Sequence, residues 1–179
     1  MYTLFTWMVN LMDSSRQSAH KKLIICDCML GKLAKILRVL GYNVYYNPKA
    51  ADDYLISLSR RHDAILLTRD KELSKLYERS IYVRDHEVNK QVIFVLRALK
   101  DIGVEPLTGI LEICPECGAP IVECDREYIK GNYHESTYCA YDVFYYCPNC
   151  GKVYWEGYQY KSLRKTIEEI KDNVNGLNA

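Results

Sequence analysis

No run of about 18 continuous apolar residues, the length a membrane-spanning helix needs, occurs in the 179-residue chain. A helical membrane span is therefore excluded, and no membrane partner is expected. The opening stretch Met1 to Met12 is apolar, yet it lacks the basic start and small-residue cleavage site of a secretory signal. Polar residues follow from Asp13 to Lys22, so residues 1–22 are expected to be a leader, either a helix docked on the body or a frayed extension. Gly-rich phosphate loops, Ser/His/Asp triad signatures and low-complexity tracts are absent as well. With 49% hydrophobic residues, what remains is enough for one ordinary domain and a small appendage.

The informative pattern is a set of short β-prone runs, Leu23–Cys26, Val44–Tyr46, Ala64–Thr68 and Ile81–Val83, alternating with stretches of helical length. Such a β-α-β-α order predicts an α/β fold with a parallel sheet flanked by helices. An aspartate lies just past each run: Asp27, Asp52, Asp70 and Asp85. In open α/β sheets the functional crevice lies outside the carboxyl ends of the strands, so acids far apart in sequence can converge there. Convergent carboxylates need a cation among them, and hard oxygen ligands suit Mg²⁺ or Mn²⁺, which polarise phosphates and activate water. The pattern points to a metal-dependent phosphodiesterase site. Helix N-capping is the competing use of any one of these residues.

Helical spacing puts Leu33, Ile36, Leu37 and Leu40 on one face of the segment after Gly31, and Val92, Val95, Leu96 and Leu99 on one face of a segment from Val88 to Ile102. Asp52 opens a helix towards His62 and Asp70 one through Tyr77. Lys32, Lys35 and Arg38 form a basic stripe near Asp27, available to a nucleic-acid backbone or simply to solvent. Residues 21–100 hold 16 Lys/Arg against 9 Asp/Glu, whereas residues 101–179 hold 7 against 13. A basic first half suits a polyanion.

Past Gly103 and Pro106 the composition turns to cysteines and aromatics. Cys114-Pro-Glu-Cys117-Gly and Cys147-Pro-Asn-Cys150-Gly are two copies of one knuckle, separated by 29 residues. Thiolates two residues apart, each pair followed by a turn-permitting Gly, supply the four sulfurs of a structural Zn²⁺ site. A redox role for the CxxC pairs is the alternative. Cys26 and Cys28 read as buried small hydrophobes, and Cys124 and Cys139 as a disulfide, free thiols or alternative ligands. The knuckles account for the cysteine richness without an oxidising compartment, so a cytoplasmic setting is expected. Tyr141–Tyr146 and Lys152–Trp155 read as ribbon strands. Tyr138, Tyr141, Tyr145, Tyr146, Tyr154, Trp155, Tyr158 and Tyr160 could stack bases, but in this acidic half a structural role is favoured.

Asp27-Cys-Met-Leu-Gly-Lys-Leu-Ala-Lys-Ile-Leu-Arg-Val-Leu-Gly-Tyr42, Asp52-Asp-Tyr-Leu55, Leu66-Leu-Thr-Arg-Asp70, the two knuckles and Val153-Tyr-Trp-Glu-Gly157 together resemble the Mut-7 carboxy-terminal RNase domain family, over about Leu23 to Lys165. The resemblance implies a PIN-like nuclease domain over 21–105, a zinc ribbon over 108–160 and a C-terminal helix over 161–175. It implies Asp27, Asp52 (or its neighbour Asp53), Asp70 and Asp85 as the acid positions, with Asp27, Asp52 and Asp70 holding catalytic Mg²⁺ or Mn²⁺. Two departures stand out. Asn43 follows Gly-Tyr where the family usually has Asp, and Tyr158-Gln159-Tyr160 replaces Ser-His-Trp.

The expected activity is therefore metal-dependent endonucleolytic hydrolysis of RNA, with Lys32, Lys35, Arg38 and Arg69 positioning the substrate backbone and Zn²⁺ serving structure. The alternatives are an RNA- or ribosome-associated binding protein with little turnover, the partner then being the ribosome or ribosomal RNA, and a toxin-type PIN ribonuclease.

Overall fold

A computed structural model describes residues 22–105, 112–131 and 133–155, together with Gly157, Lys165 and Glu168. Strands β1 (Ile24–Cys26), β2 (Val44–Tyr46), β3 (Ile65–Thr68) and β4 (Ser80–Tyr82) form a parallel sheet in the order β2-β1-β3-β4. Helices α1 (Gly31–Val39), α2 (Asp52–Arg61), α3 (Lys71–Lys75) and α4 (Val88–Asp101) provide the crossovers and the closing element. The expected parallel α/β architecture is present, each strand lying within a residue or two of its apolar run.

Alternation along the strands divides the core into two layers. Ile24, Cys26, Ile65 and Leu67 face α1 and α4, meeting Leu33, Leu37, Leu40, Val92, Val95, Leu96 and Leu99. Ile25, Ala64 and Leu66 face the other way, onto Leu55, Ile56 and Leu58 of α2 and Leu73 of α3. Strands buried on both faces explain why these runs are continuously apolar and not alternating. The α2–β3 turn places Asp63 at a positive φ of 50°, where its carboxylate takes Lys22 and Arg79 as ion partners.

A second sheet, antiparallel and three-stranded, joins β5 (Val122–Cys124), β6 (Phe144–Tyr146) and β7 (Val153–Trp155) in that order. The insertion between the knuckles supplies β5 and two short helices, α5 (Arg126–Ile129) and α6 (Glu135–Ala140). Phe144 is fully buried. The Trp155 ring packs near Phe144, Tyr133 and Tyr141, and Tyr146 packs on Tyr128. These contacts give Tyr128, Tyr133, Tyr141, Phe144, Tyr146 and Trp155 a packing role; Tyr158 and Tyr160 lie outside the described residues. So do the leader before Lys22 and all of the expected C-terminal helix except Lys165 and Glu168, both helical. Among the described residues, no helix is long and apolar enough to cross a membrane.

Candidate active site and metal centre

Because all four strands of the first sheet are parallel, their carboxyl ends lie along one edge. The chain runs from β1 outward to β2 and then back to β3 on the other side of β1, so β1 and β3 flank the topological switch point. Asp27 stands there at the end of β1 and is only 3% exposed. Its Oδ1 accepts from the Met29 N–H at 2.8 Å, capping the one-turn 3-10 helix Cys28–Leu30 that leads into α1. Its Oδ2 accepts from the Thr68 hydroxyl and from the Arg69 N–H at 2.8 Å, across the switch point on β3. A buried carboxylate with three donors is a well-held acceptor, and one of its roughly four lone-pair sites is left over.

Thr68 is fully buried, and its Oγ1 also accepts from the Asp70 N–H at 2.9 Å. Asp70 is exposed, and its Oδ1 caps α3 by accepting from Glu72 and Leu73 N–H at 2.7 and 3.0 Å. The Thr68 hydroxyl thus links the Asp27 carboxylate to the backbone N–H of Asp70. Asp52 and Asp53 occupy the exposed first turn of α2, directly after its N-cap Ala51. Asp85 follows β4, also exposed, with its backbone carbonyl held by Gln91 Nε2 at 2.8 Å. The structure therefore joins Asp27 to Asp70 and leaves Asp52 and Asp85 out of that network. Among the described residues, no three carboxylate, His or Cys ligand atoms outside the knuckles gather within 4.8 Å of one another. Such an open donor set does not form a closed cage. A hard cation held at this edge would rest on one or two carboxylates and keep most of its waters.

Of the basic candidates, Lys32 is exposed and Arg69 is half-buried. Arg69 Nη2 contacts the His86 imidazole, while its Nε is buried without a hydrogen-bond partner among the described residues. His86 was not foreseen; its only signal is adjacency to Asp85. Lys35 Nζ pairs with Glu116 Oε1 at 2.7 Å. Arg38 departs from the expectation altogether. It is 3% exposed, and its guanidinium donates to backbone carbonyls of Val44, Pro115 and Glu116, so it is sequestered from a polyanion. Part of the charge asymmetry between the halves thus serves the joint between them.

Cys114, Cys117, Cys147 and Cys150 bring all four sulfurs within 4.8 Å of one another. Cys114–Cys150 and Cys117–Cys147 are separated by 3.6 and 3.4 Å, close to the about 3.8 Å between corners of a tetrahedron with zinc–sulfur bonds of about 2.3 Å. All eight cysteines are free thiols, including Cys124 and Cys139; Cys26 is buried as expected, whereas Cys28 is exposed because it starts the 3-10 turn leaving the sheet. Burial opposes ionisation of Cys117, yet hydrogen bonds from Asn149, the Ala119 backbone and the Cys147 and Cys114 thiols bring it down to about 7. Burial pushes Cys147 and Cys150 up. One thiolate thus forms readily, whereas Cys147 and Cys150 gain theirs with a cation in their midst; the set of four sulfurs fits Zn²⁺. Tyr154 Oη lies 3.0 Å from Cys114 Sγ, an outer contact that spacing alone did not reveal.

No match was found among curated proteins or among solved structures. A family model described as the Mut7-C RNAse domain matches residues 22–167, most of the chain, and the chain accordingly belongs to the Mut7-C RNAse domain family, a nuclease-type family.

Proposed function

We propose that this protein hydrolyses RNA phosphodiester bonds internally, with the assistance of a divalent metal at the carboxyl edge of the parallel sheet. The observation that carries the reading is the buried Asp27 carboxylate at the β1/β3 switch point, tied through Thr68 to Asp70. A structural cap does not need burial or a tether to a second strand. Asp27 and Asp70, joined by Asp52 after β2 and Asp85 after β4 on the same carboxyl edge of the sheet, would hold Mg²⁺ or Mn²⁺. Bound there, the cation would neutralise charge on the scissile phosphate and acidify the attacking water.

The chain's own residues supply position. Thr68 and the Arg69 N–H hold Asp27 in one orientation, so that its remaining lone pair faces one direction. Lys32 and Arg69 provide positive charge for flanking phosphates, as fits RNA. The four-cysteine site is proposed to hold structural Zn²⁺, with a closed set of sulfurs that leaves no coordination position for substrate.

The satisfied hydrogen bonds of Asp27 and the absence of a tight carboxylate triad among the described residues favour a second reading, an RNA- or ribosome-associated protein with little turnover. Purified protein incubated with labelled RNA in Mn²⁺, in Mg²⁺ and in chelator, beside Asp27→Asn, separates the two. Metal-dependent cleavage lost in the variant supports the nuclease. RNA bound but left intact by wild-type protein under every metal condition replaces it with the binder.

A further inference from the structure

The first knuckle meets helix α1 at a joint that neither the cysteines nor the aspartates explain. Arg38, in the last turn of α1, is buried with its cationic end between the two modules. Its Nε donates to the Val44 carbonyl of β2 at 3.1 Å. Its Nη1 donates to the carbonyls of Pro115 and Glu116 at 3.1 and 2.9 Å, the two residues lying between Cys114 and Cys117. Gly118 completes the fit: its φ is 78°, and a Cβ there would sit 3.2 Å from Arg38 Nε. At the rim, Glu116 pairs with Lys35 at 2.7 Å and approaches Lys152 at 3.5 Å.

We infer that Arg38 is a positioning residue which couples zinc loading of the ribbon to the order of the β1–α1 segment carrying Asp27. The inference rests on the proposal that the four cysteines hold zinc. A guanidinium keeps its charge and must have acceptors when buried. Two of the three acceptors belong to a four-residue loop whose ends are both metal ligands. With the sulfurs gathered on one ion, those carbonyls are fixed towards Arg38. Without the ion, the loop loses the constraint that aims them, and α1 retains a buried cation short of partners. The strain falls on α1, which starts directly after the 3-10 turn capped by Asp27. Coupling of this kind is reciprocal, so Arg38 must favour zinc as much as zinc favours the helix. The ribbon is on this reading a zinc-dependent strut for the catalytic edge.

The test uses the full chain, with zinc content first established by metal analysis. Hydrogen exchange is then compared between zinc-loaded and zinc-stripped protein. Amides of β1, α1 and β2 should exchange at least about tenfold faster on stripping, while those of α3 and β4 change much less. Zinc affinity, measured by competition with a chromogenic chelator, should fall at least about tenfold in Arg38→Met, which leaves the Pro115 and Glu116 carbonyls of the loop between two ligands without their donor. Arg38→Lys should fall between, and Lys35→Met, which removes only an exposed pair, should change it less than about threefold. If Arg38→Met does not fold, the exchange comparison on the wild-type chain decides. Zinc-containing protein whose β1–α1 exchange is indifferent to stripping overturns the coupling alone, as does wild-type zinc affinity in folded Arg38→Met. A chain that binds no zinc overturns the zinc reading and the coupling together.

Discussion

The hydroxyl of Thr68 donates to the carboxylate of Asp27 across the β1/β3 switch point, and the same oxygen accepts the N–H of Asp70 at 2.9 Å. One buried side chain therefore sets the orientation of one candidate ligand and the backbone position of the other. Thr68→Val keeps the shape but leaves an Asp27 lone pair and the Asp70 N–H unsatisfied, which should cost about 1–3 kcal/mol. Thr68→Ser should recover most of this. Denaturant unfolding of the three proteins checks the ordering.

Asp27→Asn and Asp70→Asn should both reduce RNA cleavage by orders of magnitude while preserving RNA affinity, because each removes charge that would hold the metal. Their stabilities should differ. In Asp70→Asn the side-chain amide oxygen can still cap α3, and Asn caps about as well as Asp. At position 27 both oxygens accept, so an amide nitrogen must face a donor, at a cost of about 1–3 kcal/mol. Cleavage assays run well below each melting temperature, beside calorimetry, resolve the two effects. Wild-type cleavage rates in Asp27→Asn would exclude the proposed mechanism.

Much of this was legible in the sequence. Runs such as Ile24–Cys26 and Ile65–Thr68 are apolar on both faces and separated by helix-length segments, which leaves few alternatives to a parallel sheet. The knuckle spacing announced the sulfur cluster equally directly. What could not be read was direction. Lys32, Lys35 and Arg38 share a helical flank in sequence, but only packing against Pro115 and Glu116 turns Arg38 inward. The insertion strand Val122–Cys124 was missed because it is largely exposed and carries little apolar pattern, its pairing being decided by β6.

With Arg38 withdrawn into the joint, RNA affinity should depend on Lys32 and Arg69. Replacing both with Ala should weaken binding and flatten the slope of log K against log salt by roughly one per lost phosphate contact. Filter binding at several salt concentrations reads this directly. An unchanged slope would assign the phosphate contacts to other residues.

Zinc should be needed for the fold of the ribbon and not for turnover as such. Cys117→Ser or Cys150→Ser should release zinc and unfold or aggregate the ribbon, since structural zinc contributes folding free energy outright. Tyr154→Phe should be milder. It removes only the hydroxyl contact to Cys114, so zinc affinity should fall on the order of tenfold with the fold intact. Native protein that carries no zinc on metal analysis would contradict the assignment.

Gly31 gives a sharper test of the packing beside Asp27. It is the first residue of α1 and has ordinary helical angles, so by propensity alone Ala should stabilise the helix by up to about 1 kcal/mol. The fold opposes this. A Cβ at position 31 would lie 2.6 Å from Tyr46 Oη and 2.9 Å from Cζ, and the Tyr46 hydroxyl donates to the Cys28 carbonyl at 3.2 Å. The ring at the end of β2 thus lies over the turn that Asp27 caps, and Gly31 is the residue that lets it approach. Gly31→Ala should therefore destabilise wild-type protein by about 1–3 kcal/mol, the usual cost of overpacking. In a Tyr46→Ala background the same substitution should be neutral or stabilising. A double-mutant cycle measured by denaturant unfolding gives the coupling. If Gly31→Ala has the same effect in both backgrounds, the ring does not pack where the structure puts it.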